Sequence, residues 1–250
     1  MRIVVALALV LIASGAPLSQ EVCLLFDGDD YIDVQTSPSL MLLPPFSWEA
    51  WACPSSLAYG RNPRVLEKGL GFFIYYNNEG GEDLTRVGLF LGSSWTQVEV
   101  VGALSEGVWT HIAAVYAGSV LRMYIDGDLA AETVASAEYS SSGSPLKIGG
   151  HSADYDYWIG QLDEIRVWSI ERSQADIQEN MWVQVPTDTP GLAAYWRFEE
   201  GNGQIVHDSS GNGNDAYLGA GPEDDPSDPT WVGVGVAAQH STMSQIKSLY

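Results

Sequence analysis

Residues 108–134, VWTHIAAVYAGSVLRMYIDGDLAAETV, constrain the fold of this chain more than any other stretch. Three strand-forming runs follow one another there: WTHIAAVY, VLRMYI and LAAETV. Only Ala-Gly-Ser and Asp-Gly-Asp separate them. Connections this short join antiparallel neighbours, whereas parallel strands need a crossover of about a dozen residues or more. Asp-Gly also suits the positive φ angles of a tight hairpin. The segment predicts a three-stranded meander.

The rest of the chain repeats the pattern. CLLF and YIDV flank an acidic turn, DGDD, and FSWEAWAC alternates with period two. RVLEKG, GFFIYY, RVGLFLG and TQVEVV follow, separated by Gly, Asn and Ser. After the Ser-rich loop Ser140–Ser144 come PLKIGG, GQLDEIRVW and, later, LAAYWRFEE. One helix is expected at Ser173–Met181: Ser173 is a fair N-cap, Asp176 stands three residues on, and Ile177 with Met181 gives an apolar face. Many short strands without βαβ alternation predict an all-β fold, a two-sheet antiparallel jelly-roll sandwich with one short helix. Nine Trp, twelve Tyr and 26 Gly suit such sheets and turns better than helix bundles.

Residues 1–20 read as a signal peptide, with Met1-Arg2, an apolar run and then small residues. The run is short for a membrane span, although a retained N-terminal anchor is the alternative. The reading is a secreted or cell-surface chain with no membrane span in its mature part. Residues 21–220 form one domain. Residues 221–250 read as an acidic, Pro-rich linker (GPEDDPSDPT) and a loosely held tail.

The charge of −21, from 32 acids against 11 bases, argues against nucleic acid as a partner, since phosphate binding needs clustered Lys and Arg. The acids serve either solubility or cation binding. Cys23 and Cys53 are the two cysteines. In an exported chain an even pair suggests one disulfide, although both lie in expected strands, whose geometry could forbid it.

Several segments together resemble a known family. CLLFDGDDYIDV, FSWEAWACP, GVWTHIAAVYAGSVLRMYIDGDLA, LKIGG and IGQLDEIRVWSIERSQADI occur in order. They look like the LamG-like jelly-roll domain of the laminin G and concanavalin A-like lectin/glucanase superfamily, related to the pentraxins. GLAAYWRFEEGNGQIVHDSSGNGNDA is similar to a segment that commonly borders such domains. The resemblance covers roughly residues 22–218. It implies two stacked sheets, one of them concave, and a frequent structural calcium near the rim. It also implies binding of a glycan or extracellular protein, rather than catalysis.

The adjacent acids of GQLDEIRVW test that implication. Strict alternation sends Asp163 to the side of Ile165 and Val167, which look like core, and Glu164 to the side of Arg166 and Trp168. The two carboxylates then cannot flank one glycosidic bond unless the strand is bulged. The E-x-D-x-E strand of the superfamily's β-glucanases is also missing. A glycan hydrolase or lyase is the enzymatic alternative, and a purely structural cell-surface module is the third.

A carboxylate on an apolar face needs a partner. For Asp163 this is an Arg, backbone N–H groups or calcium, a hard cation that takes oxygen ligands. In the resembled family the DGDD turn lies near this strand, which suggests Asp27, Asp30 and Asp163 as metal ligands, with Asp29 in reserve. HSADYDYW (residues 151–158) crowds His151, Asp154, Tyr155, Asp156, Tyr157 and Trp158 before the same strand. Asp154, Tyr155, Tyr157 and Trp158 are the ligand-binding candidates, against packing over the sheet edge. Asp208, Asn212 and Asp215 suggest a calcium loop, but the EF-hand pattern fails and turn formation is the expected use.

Trp48, Trp51, Trp109, Trp168 and Trp196 lie within strand patterns and are expected to be buried. Trp95 and Trp158, nearer loops, are candidates for surface stacking. His111 reads as a structural histidine. No nucleophile elbow, zinc helix or phosphate-cradling loop is present.

Overall fold

In the computed structural model, residues 22–57, 62–69, 71–79, 82–135, 138–141, 143–151 and 156–233 are described. The expected signal peptide lies outside them. In chain order the first strands are β1 (Val22–Asp27), β2 (Ile32–Val34), β3 (Phe46–Pro54), β4 (Arg64–Glu67), β5 (Phe72–Glu79), β6 (Glu82–Leu91), β7 (Ser94–Val101) and β8 (Thr110–Tyr116). Then come β9 (Val120–Ile125), β10 (Asp128–Val134), β11 (Leu146–Ile148), β12 (Ile159–Trp168), β13 (Leu192–Trp196), β14 (Ile205–Val206), β15 (Ala216–Leu218) and β16 (Thr230–Gly233).

The strands form two antiparallel sheets. The first runs β10-β9-β8-β3-β12-β1-β16, and β13 pairs with the C-terminal half of β12. The second runs β14-β15-β2-β11-β4-β5-β6-β7. The meander is present as β8-β9-β10, and its second turn carries Asp126 and Gly127 at φ 50° and 83°, the positive pair of a tight hairpin.

Alternation sends one face of each sheet inward. Leu24 and Phe26 of β1, Trp48 and Ala50 of β3, and Ile112 and Ala114 of β8 meet Phe72, Ile74 and Tyr76 of β5 and Val87 and Leu89 of β6 in one core. Helix α1 (Gln174–Asn180) starts at the expected cap: Ser173 Oγ accepts from the Asp176 N–H, and Asp176 reaches back to the Ser173 N–H. Its buried residue, Ile177, packs on Ala113, Val115 and Tyr124 on the outside of the first sheet. Burying that side chain is worth about 2 kcal/mol.

The expected boundary at residue 220 does not hold. Thr230–Gly233, read from sequence as part of the linker and tail, pairs with β1 and completes an edge of the first sheet. The preceding loop is tied down by the Tyr31 N–H, which donates to the Ser227 carbonyl.

Candidate functional site

The outside of the first sheet is covered over its central strands β3, β8 and β12. Glu164 has φ 53°, and between Asp163 and Arg166 strand β12 advances three residues while β3 advances two. This is a β-bulge, which re-aims the side chains after it. Leu162, Ile165 and Val167 face the core, so Asp163 does not share their side. It lies in the row of Cys23 and Trp51, on the outer face. The expected core-facing Asp163 is therefore corrected by the bulge.

The adjacent acids do not make an accessible pair. Asp163 and Glu164 are both buried. Asp163 Oδ1 accepts from the Glu164 N–H at 3.0 Å, while the Glu164 carboxylate accepts from Arg166 and Tyr195. Arg166 donates onward to the carbonyls of Asn180 (2.8 Å) and Val183 (2.9 Å). Beside it, fully buried Glu49 lies 3.3 Å from His111 Nε2 and 3.5 Å from Arg172 Nε. Burial pushes the Glu49 carboxyl up, but His111, Arg166 and Arg172 outweigh it and hold it below the ordinary range. Trp182 packs on Trp51 at 4.4 Å, and the Trp51 indole donates to the Met181 carbonyl. These contacts fasten α1 and the chain after it over the sheet.

The expected disulfide is also corrected. Cys23 and Cys53 are free, buried thiols. Strand β12 runs between β1 and β3, which separates their Cα atoms by two strand spacings, roughly 9–10 Å before any offset along the strands. A disulfide needs less than about 7 Å. Burial, with Asp163 and Cys53 nearby, pushes the Cys23 thiol well above its usual range.

The outside of the second sheet carries a different array. In β5 the core takes Phe72, Ile74 and Tyr76, leaving Phe73 and Tyr75 on the outer face. The pairing register aligns Gln97, Gly88, Phe73, Glu67, Lys147, Asp33 and Tyr217 in one row across β7, β6, β5, β4, β11, β2 and β15. Six strand spacings make this row about 29 Å long.

Phe73 lies flat because Gly88 beneath it has no side chain: a Cβ there would stand 2.2 Å from the ring. Trp95 leans on Phe73 at 4.8 Å and on Phe90 at 5.2 Å. Tyr75 lies 4.9 Å from Phe73 on the other side, with the Arg64 guanidinium 4.1 Å over its ring. Arg64 pairs with Glu67 at 2.9 Å, and His151 approaches the same carboxylate at 3.5 Å. Lys147 Nζ stands 4.1 Å over Tyr31, which stacks on Tyr157 at 6.1 Å. The result is a continuous ribbon of rings and charges. Its two ends project most, Trp95 at 41% exposure and Tyr217 at 43%. Beside Phe90 a cleft of about 650 Å³ is lined by Glu138, Tyr139, Ser140 and Ser141.

Of the ligand-binding candidates, Asp154 and Tyr155 lie outside the described residues. Tyr157 is half-buried at one end of the ribbon. Trp158 is not available for stacking, because it is 1% exposed and part of the core. Trp95 is exposed on the ribbon, as its position near a turn suggested. Phe73, Tyr75, Arg64, Lys147 and Tyr217 went unread. One signal for them was available: GFFIYY carries aromatics in both phases of the alternation, whereas a strand with a plain solvated face puts polar residues in one.

The acidic turn gathers Asp27, Asp29 and Asp30, with one carboxylate oxygen of each within 4.8 Å of the others. Asp30 is buried and accepts from the Asp27 N–H at 2.6 Å. Burial, reinforced by Asp27 and Asp29, lifts its carboxyl to about 7. A hydrogen bond with Asp27 raises Asp29 as well. Asp163 is not part of this group. Asp27 pairs with Ile159, and Asp163 is four residues further along β12, about 13 Å away. The turn's three carboxylates suit a hard cation, but the expected set with Asp163 does not assemble.

The Asp208 loop is self-satisfied. Asp208 accepts from the N–H groups of Tyr195, Ser210 and Asn214 and from the Asn214 amide, which accounts for it as a turn organiser.

A family model described as the concanavalin A-like lectin/glucanases superfamily matches residues 26–178. Among solved structures, a candidate carbohydrate binding protein from Bacteroides ovatus superposes with TM-score 0.69 at 20% identity. That match covers 88% of this chain but only 62% of the Bacteroides protein. The CBM40 of Ruminococcus gnavus IT-sialidase, bound to α2,3 sialyllactose, gives TM-score 0.53 at 14% identity, covering 62% of this chain and 93% of that one. A heptameric SAP-like pentraxin from Limulus polyphemus gives 0.50 at 16%, covering 65% and 82%. At these identities the likeness establishes a shared fold.

Proposed function

We propose that this chain, which belongs to the concanavalin A-like lectin/glucanases superfamily, is a non-catalytic module that recognises a glycan on the outer face of its second sheet. The observation that carries the reading is the contrast between the two faces. The first is covered over β3, β8 and β12 by α1 and a buried ionic network, whereas the second carries a packed aromatic ribbon, buried at Phe73, Glu67 and Lys147, that exposes Trp95 and Tyr217. Rings of this kind stack on the apolar faces of sugars, and a packed ribbon loses little freedom on binding. The relatives described as carbohydrate binding, from Bacteroides ovatus and Ruminococcus gnavus, support the same reading. The described part of the C-terminal segment, strand β16, joins an edge of the first sheet. An extracellular protein is the second class of partner.

The burial of Asp163 and Glu164 argues against a hydrolase built on them. The proposal includes export through residues 1–20 and a calcium ion at Asp27, Asp29 and Asp30, which would brace the turn between β1 and β2. Among the described residues no helix is long and apolar enough to cross a membrane.

A glycan array followed by calorimetry on the strongest ligand tests the reading. Trp95→Ala should weaken binding about fivefold to tenfold, the worth of one aromatic contact. Full affinity in that variant, or an array with no glycan bound, would remove the ribbon from the function.

A further inference from the structure

Resting on the glycan-binding reading, we infer that the ligand is a neutral, linear polysaccharide held along the interior of its chain, lying across the strands from Trp95 to Tyr217. The first argument is geometric. The register places Gln97, Phe73, Glu67, Lys147, Asp33 and Tyr217 in one row perpendicular to the strands, in which Phe73, Glu67 and Lys147 form a buried floor and Gln97, Asp33 and Tyr217 are accessible. Trp95 rests against Phe73 at one end. Among the described residues, the two most exposed rings of this face are separated by about 29 Å of sheet. A single terminal sugar contacts one ring and leaves the other unused, whereas an extended chain reaches both.

The second argument is electrostatic. Among the described residues the array holds three cations, and each faces an acid of the same surface: Arg64 with Glu67 at 2.9 Å, Arg86 with Glu99 at 2.8 Å and Lys147 with Asp33 at 3.5 Å. His151 beside Glu67 is pushed below its ordinary range chiefly by burial, so it adds no charge at neutral pH. The ribbon is locally balanced on a chain of formal charge −21. A polyanion approaching it meets repulsion from the whole molecule and, among the described residues of the ribbon, no spare cation to offset that repulsion. Uncharged hydroxyls suit a surface of paired, planar polar groups: carboxylates accept from them and guanidinium groups donate to them.

The test is affinity electrophoresis of the full chain against two sets of soluble polymers. The neutral set is arabinan, xylan, mannan and mixed-linkage β-glucan; the acidic set is polygalacturonate, alginate and hyaluronan. Calorimetry then follows an oligosaccharide ladder of whichever polymer binds. The expected result is retardation by a neutral polymer, insensitive to added sodium chloride, with affinity that rises along the ladder until the ribbon is spanned. Trp95→Ala and Tyr217→Ala should each weaken the long oligosaccharides about fivefold to tenfold. Each should also leave short ones less affected than the wild-type length dependence predicts.

Both positions are exposed, so the variants should fold, and circular dichroism checks that they do. Binding to acidic polymers alone, or equal affinity for short and long oligosaccharides, overturns this inference while leaving glycan recognition standing. So does indifference of the long oligosaccharides to Tyr217→Ala. Failure to bind any polymer or array glycan overturns the recognition reading itself.

Discussion

The ring of Phe73 lies directly on the backbone of Gly88, its partner on the neighbouring strand. That contact sets the level of the ribbon, because Trp95 and Tyr75 both rest against the same ring. A methyl group at position 88 would stand 2.2 Å from Phe73 Cζ, so the ring must lift. Gly88→Ala should therefore reduce glycan affinity severalfold and cost about 1–3 kcal/mol of stability by overpacking. Calorimetry and urea unfolding measure the two effects separately. Unchanged affinity would show that the level of Phe73 does not matter to the ligand.

The acidic turn gives a prediction about pH and calcium. Asp30 titrates near 7 in the folded protein against an ordinary 3.8, so the folded state holds a proton that the unfolded chain has released. Its contribution to stability is therefore greatest at low pH and declines as pH rises from about 4 to about 7. Calcium should cancel the decline by supplying positive charge. Melting temperatures with calcium and with a chelator, at pH 5 and pH 8, should differ mainly at pH 8. Asp30→Asn should abolish that difference and Asp163→Asn should retain it. A calcium effect that depends on Asp163 would place the ion elsewhere.

The network over the first sheet predicts a large and localised cost. Arg166 faces Glu164 and Tyr195 and also holds two carbonyls of the segment after α1. Arg166→Ala leaves Glu164 buried without its cation, a loss of about 3–5 kcal/mol. Urea unfolding should show it. The fraction that remains folded should still bind glycan with full affinity, since the network lies on the opposite side of the sandwich from the ribbon. A matching loss of affinity would show that the two faces communicate.

Cys23 and Cys53 should behave as two thiols. Thiol titration in denaturant should count both, the folded protein should react slowly, and a reducing agent should leave the melting temperature unchanged. A mass increase of two protons on reduction would mean that the chain bridges them after all.

Local sequence carried the architecture. The meander at residues 108–134 was legible because Asp126-Gly127 specifies its turn and the apolar period specifies its strands. The helix was legible because Ser173 and Asp176 close a capping box within one turn. These features depend on neighbours a few residues apart, so the order of residues contains the cause.

The site depended on relations between distant segments. One inserted residue at Glu164 changed the phase of β12 and moved Asp163 from the expected core side to the outer face, where it is nonetheless buried. The position of β12 between β1 and β3 separated the two cysteines. Phe73, Lys147 and Tyr217 became one row only through the pairing of β5, β4, β11, β2 and β15. Strand alternation fixes which residues share a face within one strand. Bulges, strand order and register decide which faces meet, and these are set by contacts between segments far apart in the chain.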